Sequence, residues 1–189
     1  MSLLIVAALL FAQAGDDEKP PPRTHHSGLE AGMVILHLDS QLGAEDKLVP
    51  GIEAAFAFSK TEPKYSIGFR AYYRQWEVTF EEFNQAPADL DGEVQQLGAD
   101  LVVSYPLPGP LSLVVEVGGG VMRLEHDLDE ETTGFFEGGA YLRIDLIAGL
   151  YVEAGGAAFA ALTEFGGQDD DTNHVSWVGR VSAGLEIDF

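Results

Sequence analysis

Residues 175–189 read VSWVGRVSAGLEIDF. Val175, Trp177, Gly179, Val181, Ala183, Leu185, Ile187 and Phe189 share one parity, while Ser176, Arg180, Ser182, Gly184, Glu186 and Asp188 share the other. A helix turning every 3.6 residues would scatter these apolar side chains round its axis. A strand, whose successive side chains point to opposite faces, puts all of them on one side. Alternation over this length predicts one long strand with an apolar face and a polar face.

The same period extends back through the chain. Leu97, Ala99, Leu101, Val103 and Tyr105 alternate with Gln96, Gly98, Asp100 and Ser104, and Leu111, Leu113, Val115, Val117 and Val121 with Ser112, Glu116, Gly118 and Gly120. Similar patterns run over Ile52 to Phe58, Tyr65 to Tyr73, Phe136 to Ile144 and Leu150 to Leu162. A first strand near Leu29 to Asp39 makes eight, although Met33 to Leu36 is apolar on both parities and leaves its faces unassigned. Short links near Lys60 to Lys64, at Pro106 to Pro110 and near Leu146 to Gly149 alternate with longer ones at Ser40 to Lys47, Glu77 to Gly92, Glu125 to Gly134 and Glu164 to His174. Successive links of an antiparallel meander fall at opposite ends, so this rhythm predicts up-and-down order with every short link at one end.

Composition narrows the function. The 189 residues carry 10 Lys and Arg against 31 Asp and Glu, a formal charge of −21, which excludes nucleic acid as a partner because phosphate contacts need clustered basic side chains. With no cysteine there are no disulfides, thiolate metal sites or Cys nucleophiles. A hydrophobic content of 46% excludes a disordered chain. Leu3 to Phe11 is a continuous apolar run followed by Ala12-Gln13-Ala14, the small-x-small pattern of a signal-peptidase site, although no Lys or Arg precedes it. Residues 1–14 are therefore expected to be a signal peptide, 15–27 (GDDEKPPPRTHHS) a flexible tether and 28–189 a β-barrel domain. His25 and His26 are a possible metal-binding pair within that tether.

A soluble lipocalin-like barrel that binds an apolar ligand would turn the apolar parity inward. A membrane barrel turns it toward lipid and keeps the polar parity in the lumen. Three details favour the membrane orientation. The polar parity holds charges of both signs along strand interiors: Glu53, Arg70, Arg74, Asp100, Glu116, Arg143, Asp145, Glu153, Arg180, Glu186 and Asp188. Aromatics of the apolar parity gather toward strand ends, with Phe58, Tyr65, Tyr105 and Phe189 at the short-link end and Tyr73, Phe136 and Trp177 at the other, as interfacial girdles do. The apolar parity also stays in register to Phe189. The expected fold is an all-β, eight-stranded antiparallel up-and-down transmembrane β-barrel. Its interior would be filled by paired side chains rather than open as a channel.

The ending Val181-x-Ala183-x-Leu185-x-Ile187-x-Phe189 resembles the terminal strand of bacterial outer-membrane β-barrel proteins. The plan from about Gly28 onward is similar to the small eight-stranded group that includes the OmpA transmembrane domain and OmpX-like proteins. That resemblance implies export through the periplasm, residence in outer-membrane lipid, and an assembly signal in Val181, Leu185, Ile187 and Phe189 read by the barrel assembly machinery. The chain is expected to be a monomer.

Chemistry beyond this is sparse. The longer links concentrate acidic residues, with Lys47 as their one basic side chain, so divalent cations or surface ligands could meet that rim. Asp127, Asp129 and Glu131, or Asp169 to Asp171 with Asn173, are the possible Ca²⁺ ligands, but neither set follows the helix-loop-helix calcium template. His174-x-Ser176 looks like the His-x-Ser element of outer-membrane lipid A deacylases, which makes a lipid-modifying enzyme the second alternative. Glu186 is over ~30 Å along the same strand from His174, so Glu164 or Glu153 would have to orient the histidine. Tyr141 and Tyr151 join no recognisable constellation, and no cofactor motif is present. The reading that results is a non-enzymatic outer-membrane barrel with a plugged polar lumen, acidic extracellular loops and a structural or surface-interaction role, without cofactor or metal.

Overall fold

The computed structural model describes residues 25–37, 48–80, 90–126, 129–147, 149–162 and 175–188. They form eight strands: β1 (His25–His37), β2 (Leu48–Thr61), β3 (Ser66–Phe80), β4 (Leu90–Pro106), β5 (Leu111–His126), β6 (Asp129–Asp145), β7 (Leu150–Ala161) and β8 (Val175–Asp188). Each strand pairs antiparallel with its neighbours in sequence, and β8 pairs with β1 from His26↔Asp188 to His37↔Trp177. The sheet is thus a closed barrel, and closure leaves no edge strand with unpaired amides.

The short links are tight for identifiable reasons. The Glu62 amide donates to the Tyr65 carbonyl, Leu107 to Leu111 and Leu146 to Leu150, each at 2.8 Å. Gly109 and Gly149 take φ of 81° and 77°, a left-handed conformation that a side chain resists, so two of these three turns depend on a glycine.

The faces follow the parity of β8. Val181, Leu185 and Ile187 point outward and are exposed, as are Leu29, Phe69, Leu97, Val117 and Phe136, while Arg180 and Ser182 are buried inside. β1 resolves in the same sense. Val34 and Leu36 enter the lumen, whereas Leu29, Met33 and Ile35 face out. On β5, outward apolar residues run from Leu111 to Val121 before Arg123 and Glu125 begin. Ten residue steps at the usual strand rise and tilt make a band ~25 Å tall, the thickness of the apolar belt of an outer-membrane barrel.

Three expectations change. β1 opens at His25, not near Leu29, so His25, His26 and Ser27 pair with Lys60, Ser59 and Phe58 instead of belonging to a tether. The expected long link at Glu125 to Gly134 is mostly paired strand, because the ladder continues to His126↔Asp129 and makes Glu125, Glu130 and Glu131 strand residues. Likewise β3 runs to Phe80 and β4 begins at Leu90. Charge disguised these extensions. Above the apolar belt the outward parity turns to Glu and Gln while the inward parity keeps Trp76, Val78, Val94 and Leu124, so alternation continues with a different outer partner.

The lumen is also not uniformly polar. Toward the long-link end it is filled by Val34, Leu36, Trp76, Val78, Val94, Met122, Leu124, Phe135, Phe159 and Val178, with Phe135 and Phe159 packed edge to face. The charged residues lie beneath this apolar layer.

Candidate functional site: the charged lumen

Every strand contributes a polar side chain to the middle of the barrel. Glu30, Glu53, Asp100, Glu116, Glu137 and Glu153 come from β1, β2, β4, β5, β6 and β7; Arg70 and Arg74 come from β3 and Arg180 from β8; all nine are buried. Antiparallel pairing sets their depth, placing Glu53 opposite Arg74, Arg70 opposite Asp100 and Glu153 opposite Ser182.

Glu53 is the hub. Arg74 donates to it from Nε at 2.6 Å, Arg70 donates to it from Nη2, and Arg180 Nε lies 3.8 Å away. Arg74 also crosses the lumen to Glu137 at 2.6 Å, and Arg180 reaches Glu116 at 2.7 Å and Glu153. Arg70 meets Glu30 at 3.0 Å, and Glu30 accepts the Tyr151 hydroxyl at 2.7 Å. Carboxylates that would be costly to bury alone are held by guanidinium groups whose several donors reach several strands at once.

Three tyrosines complete the arrangement. Arg74 lies 4.0 Å over the Tyr72 ring, Arg180 3.7 Å over Tyr141 and Arg143 3.8 Å over Tyr151. The cross-strand partner of each ring is a glycine: Gly98 for Tyr72, Gly155 for Tyr141 and Gly184 for Tyr151. A Cβ at Gly98 or Gly184 would overlap the facing ring, so missing side chains make the space in which these rings lie flat beneath their arginines. Desolvated cation–π contacts of this kind contribute about 2 kcal/mol each.

Of the charges singled out from sequence, Glu53, Arg70, Arg74, Asp100, Glu116, Glu153 and Arg180 converge in this band. Arg143, Asp145 and Glu186 do not. They form a separate group at the short-link mouth, with Arg143 2.7 Å from Asp145 and 2.9 Å from Glu186, and Asp145 half exposed. Asp188 closes β8, and its side chain lies outside the described residues, as does Phe189. Glu30, Glu137 and the tyrosines are members that the sequence reading did not assign. His26, expected within the tether as one of a possible metal-binding pair, accepts or donates at 2.7 Å to Thr61 and sits 3.3 Å from Glu186. Between the charged band and this mouth lies a cavity of about 230 Å³.

Neither alternative chemistry gains a site. Ser176 is buried in the lumen, and Glu153 is six ladder positions from its level, ~20 Å away, too far to orient a histidine beside it. His174, Glu164, Asp127, Asp169 to Asp171 and Asn173 lie outside the described residues, and so does the Asp129 side chain. Among the described residues no three acidic or histidine side chains converge to hold a metal.

Solved structures share this architecture. The chain superimposes on Neisserial surface protein A with a TM-score of 0.54 and 14% identity, covering 91% of this chain and 100% of that one. This is the fold of the small eight-stranded outer-membrane barrels. A major outer membrane protein of Thermus thermophilus matches with a TM-score of 0.61 at 11% identity, covering 86% of this chain and 99% of that one. The attachment invasion locus protein Ail of Yersinia pestis, solved with the heparin analogue sucrose octasulfate, matches at 0.53 and 13% identity over 86% of this chain and 99% of its own. No protein-family model and no curated protein matches the sequence. Small eight-stranded barrels of this fold thus reach the same wall with largely different residues.

Proposed function

We propose that the chain is a non-enzymatic outer-membrane barrel, closed to solutes, that presents its long-link end outside the cell as a structural or surface-interacting element. One observation carries this reading: the large apolar side chains are on the outside and the arginines and carboxylates on the inside. A soluble barrel would need the reverse, so the lipocalin-like alternative loses its support. In this placement the short links face the periplasm, and Val181, Leu185, Ile187 and Phe189 are the sequence signal that the assembly machinery reads.

The apolar layer above the charged band supports closure, since water does not thread a packed cluster of Trp76, Met122, Phe135 and Phe159. At the long-link end the described outward side chains of β3 to β6 include Glu77, Asp91, Glu93, Glu125 and Glu130, with Arg123 held between Glu125 at 3.0 Å and Glu130 at 2.8 Å. Such a rim repels sulfated or phosphorylated polyanions, so a polyanionic ligand like that of Ail does not suit this chain. Neutral or cationic partners do, or anionic headgroups joined through divalent cations. The mature chain is expected to require detergent and, unheated, to migrate differently on gels from the heated form. A freely soluble monomer in buffer would overturn the reading.

A further inference from the structure

One acid of the buried band stands apart from the network. Among the described residues, Glu30, Glu53, Asp100, Glu116, Glu137 and Glu153 are buried with Arg70, Arg74 and Arg180. Each glutamate meets a guanidinium: Glu30 and Glu53 meet Arg70, Glu137 meets Arg74, and Glu116 and Glu153 meet Arg180. Asp100 is 1% exposed, and neither of its oxygens has a hydrogen-bond partner. Among the described residues no ion pair joins it to an arginine.

Register explains the isolation. Arg70 is the cross-strand neighbour of Asp100 on β3, but its donors are drawn to Glu30 and Glu53. On the other side the row runs through Gly118 of β5 to Glu137 of β6. A Cβ at Gly118 would strike Asp100 Oδ1, so the carboxyl lies over the bare glycine, on the side of Glu137. The other charged or titratable side chains around it are Arg74 and Tyr72 of β3 and Glu116 of β5. Arg74 is engaged by Glu53 and Glu137, and Glu116 by Arg180 of β8, which also covers Tyr141 of β6.

A carboxylate taken out of water without a counter-charge is far costlier than the neutral acid. Two carboxyl groups facing each other in a dry site therefore share a proton. We propose that Asp100 is a proton-binding site: in the folded barrel it is a neutral carboxylic acid whose hydroxyl donates to Glu137 across Gly118. The proton completes a chain from Asp100 through Glu137 and Arg74 to Glu53, which ties β4, β6, β3 and β2 together. A water molecule would supply a hydrogen bond but leave the charge. A metal ion finds no converging set of acidic or histidine ligands among the described residues. The site is interior and independent of whatever the outer rim contacts.

Infrared spectroscopy of the full chain in lipid vesicles at neutral pH tests it. Exposed carboxyl groups are ionised there, so a protonated-acid carbonyl band comes from buried groups alone. One such band is expected. It should shift to lower frequency when aspartate carries carbon-13 at its carboxyl carbon and stay in place when only glutamate is so labelled. Asp100 is the only buried aspartate among the described residues, so the label alone points to it. The band should vanish in Asp100→Asn. That variant should fold, by its heat-dependent gel migration, with a urea midpoint at or above that of the wild type, because the amide is also neutral and donates an N–H in place of the O–H. A spectrum without an acid band, a band that follows the glutamate label, or one that survives in Asp100→Asn overturns the proposal. So does a marked fall in the urea midpoint of Asp100→Asn, or its failure to fold, since the charge of an ionised Asp100 would then be what the barrel needs.

Discussion

Arg180 stands between three carboxylates and lies over one aromatic ring. Replacing it by Gln keeps much of the volume but leaves Glu53, Glu116 and Glu153 with fewer counter-charges, a change that costs about 3–5 kcal/mol in buried networks. Urea unfolding of the Arg180→Gln barrel in lipid vesicles should show a loss of that size. Adding Glu153→Gln should recover a large part of it, because the cost lies in unpaired charge and not in lost shape. A second residue-scale prediction concerns space. Gly98→Val places side-chain atoms where the Tyr72 ring lies and should destabilise by about 1–3 kcal/mol. Gly138→Ala, whose nearest atom is the Glu116 carbonyl at 3.8 Å on the outer wall, should stay within about 0.5 kcal/mol. Coupling in a double variant with Tyr72→Ala checks the mechanism, since removing the ring should remove most of the Gly98→Val penalty. None of these pairings was legible from sequence. Period two says which face a side chain takes but not which residue it faces, and Gly98, Gly155 and Gly184 gain meaning only once register sets them beside Tyr72, Tyr141 and Tyr151.

At the scale of the strand, β8 shows why the barrel orientation was readable. Its apolar parity is complete and its polar parity carries Arg180 and Glu186, so a single inference about lipid assigns both faces. β1 hid its faces because Val34 and Leu36 fill the apolar layer of the lumen while Met33 and Ile35 meet the outside, and the same ambiguity concealed Glu30 as an interior acid. Depth was equally hidden. Arg143, Asp145 and Glu186 have the inward parity but lie near strand ends, where the mouth and not the buried band receives them. The face assignment is tested by placing charge on each side of the wall. Val181→Arg puts a guanidinium on the outer surface of β8 and should cost about 2–4 kcal/mol in a bilayer. Spin labels at Leu101, Val181 and Leu185 should collide with lipid-soluble oxygen, and labels at Ser104 and Ser182 should be shielded. Shielding of the first group instead would reverse inside and outside for the whole sheet.

Taken across its height, the molecule is stratified. An apolar layer fills the lumen toward the long links, a charged band follows, and a hydroxyl-lined cavity opens toward the short links. Each layer is what its surroundings permit. Charges sit at mid-height because eight strands converge there and supply arginines to acids, while the cavity remains where Gly68, Ser104 and Ser112 are too small to fill the lumen. If the barrel is closed as proposed, it admits water from one end only. Ser112→Cys should therefore react with a membrane-impermeant thiol reagent supplied from the short-link side of oriented vesicles and resist it from the other side. Val94→Cys, buried in the apolar layer, should resist it from both. The same layering predicts no discrete conductance steps in a planar bilayer, because an ion leaving the charged band toward the long links would have to shed its water among Trp76, Val94 and Met122. Steady steps in the wild type, or labelling of Val94→Cys, would mean that the apolar layer opens, and the barrel would then be a channel with a hydrophobic gate rather than a closed wall.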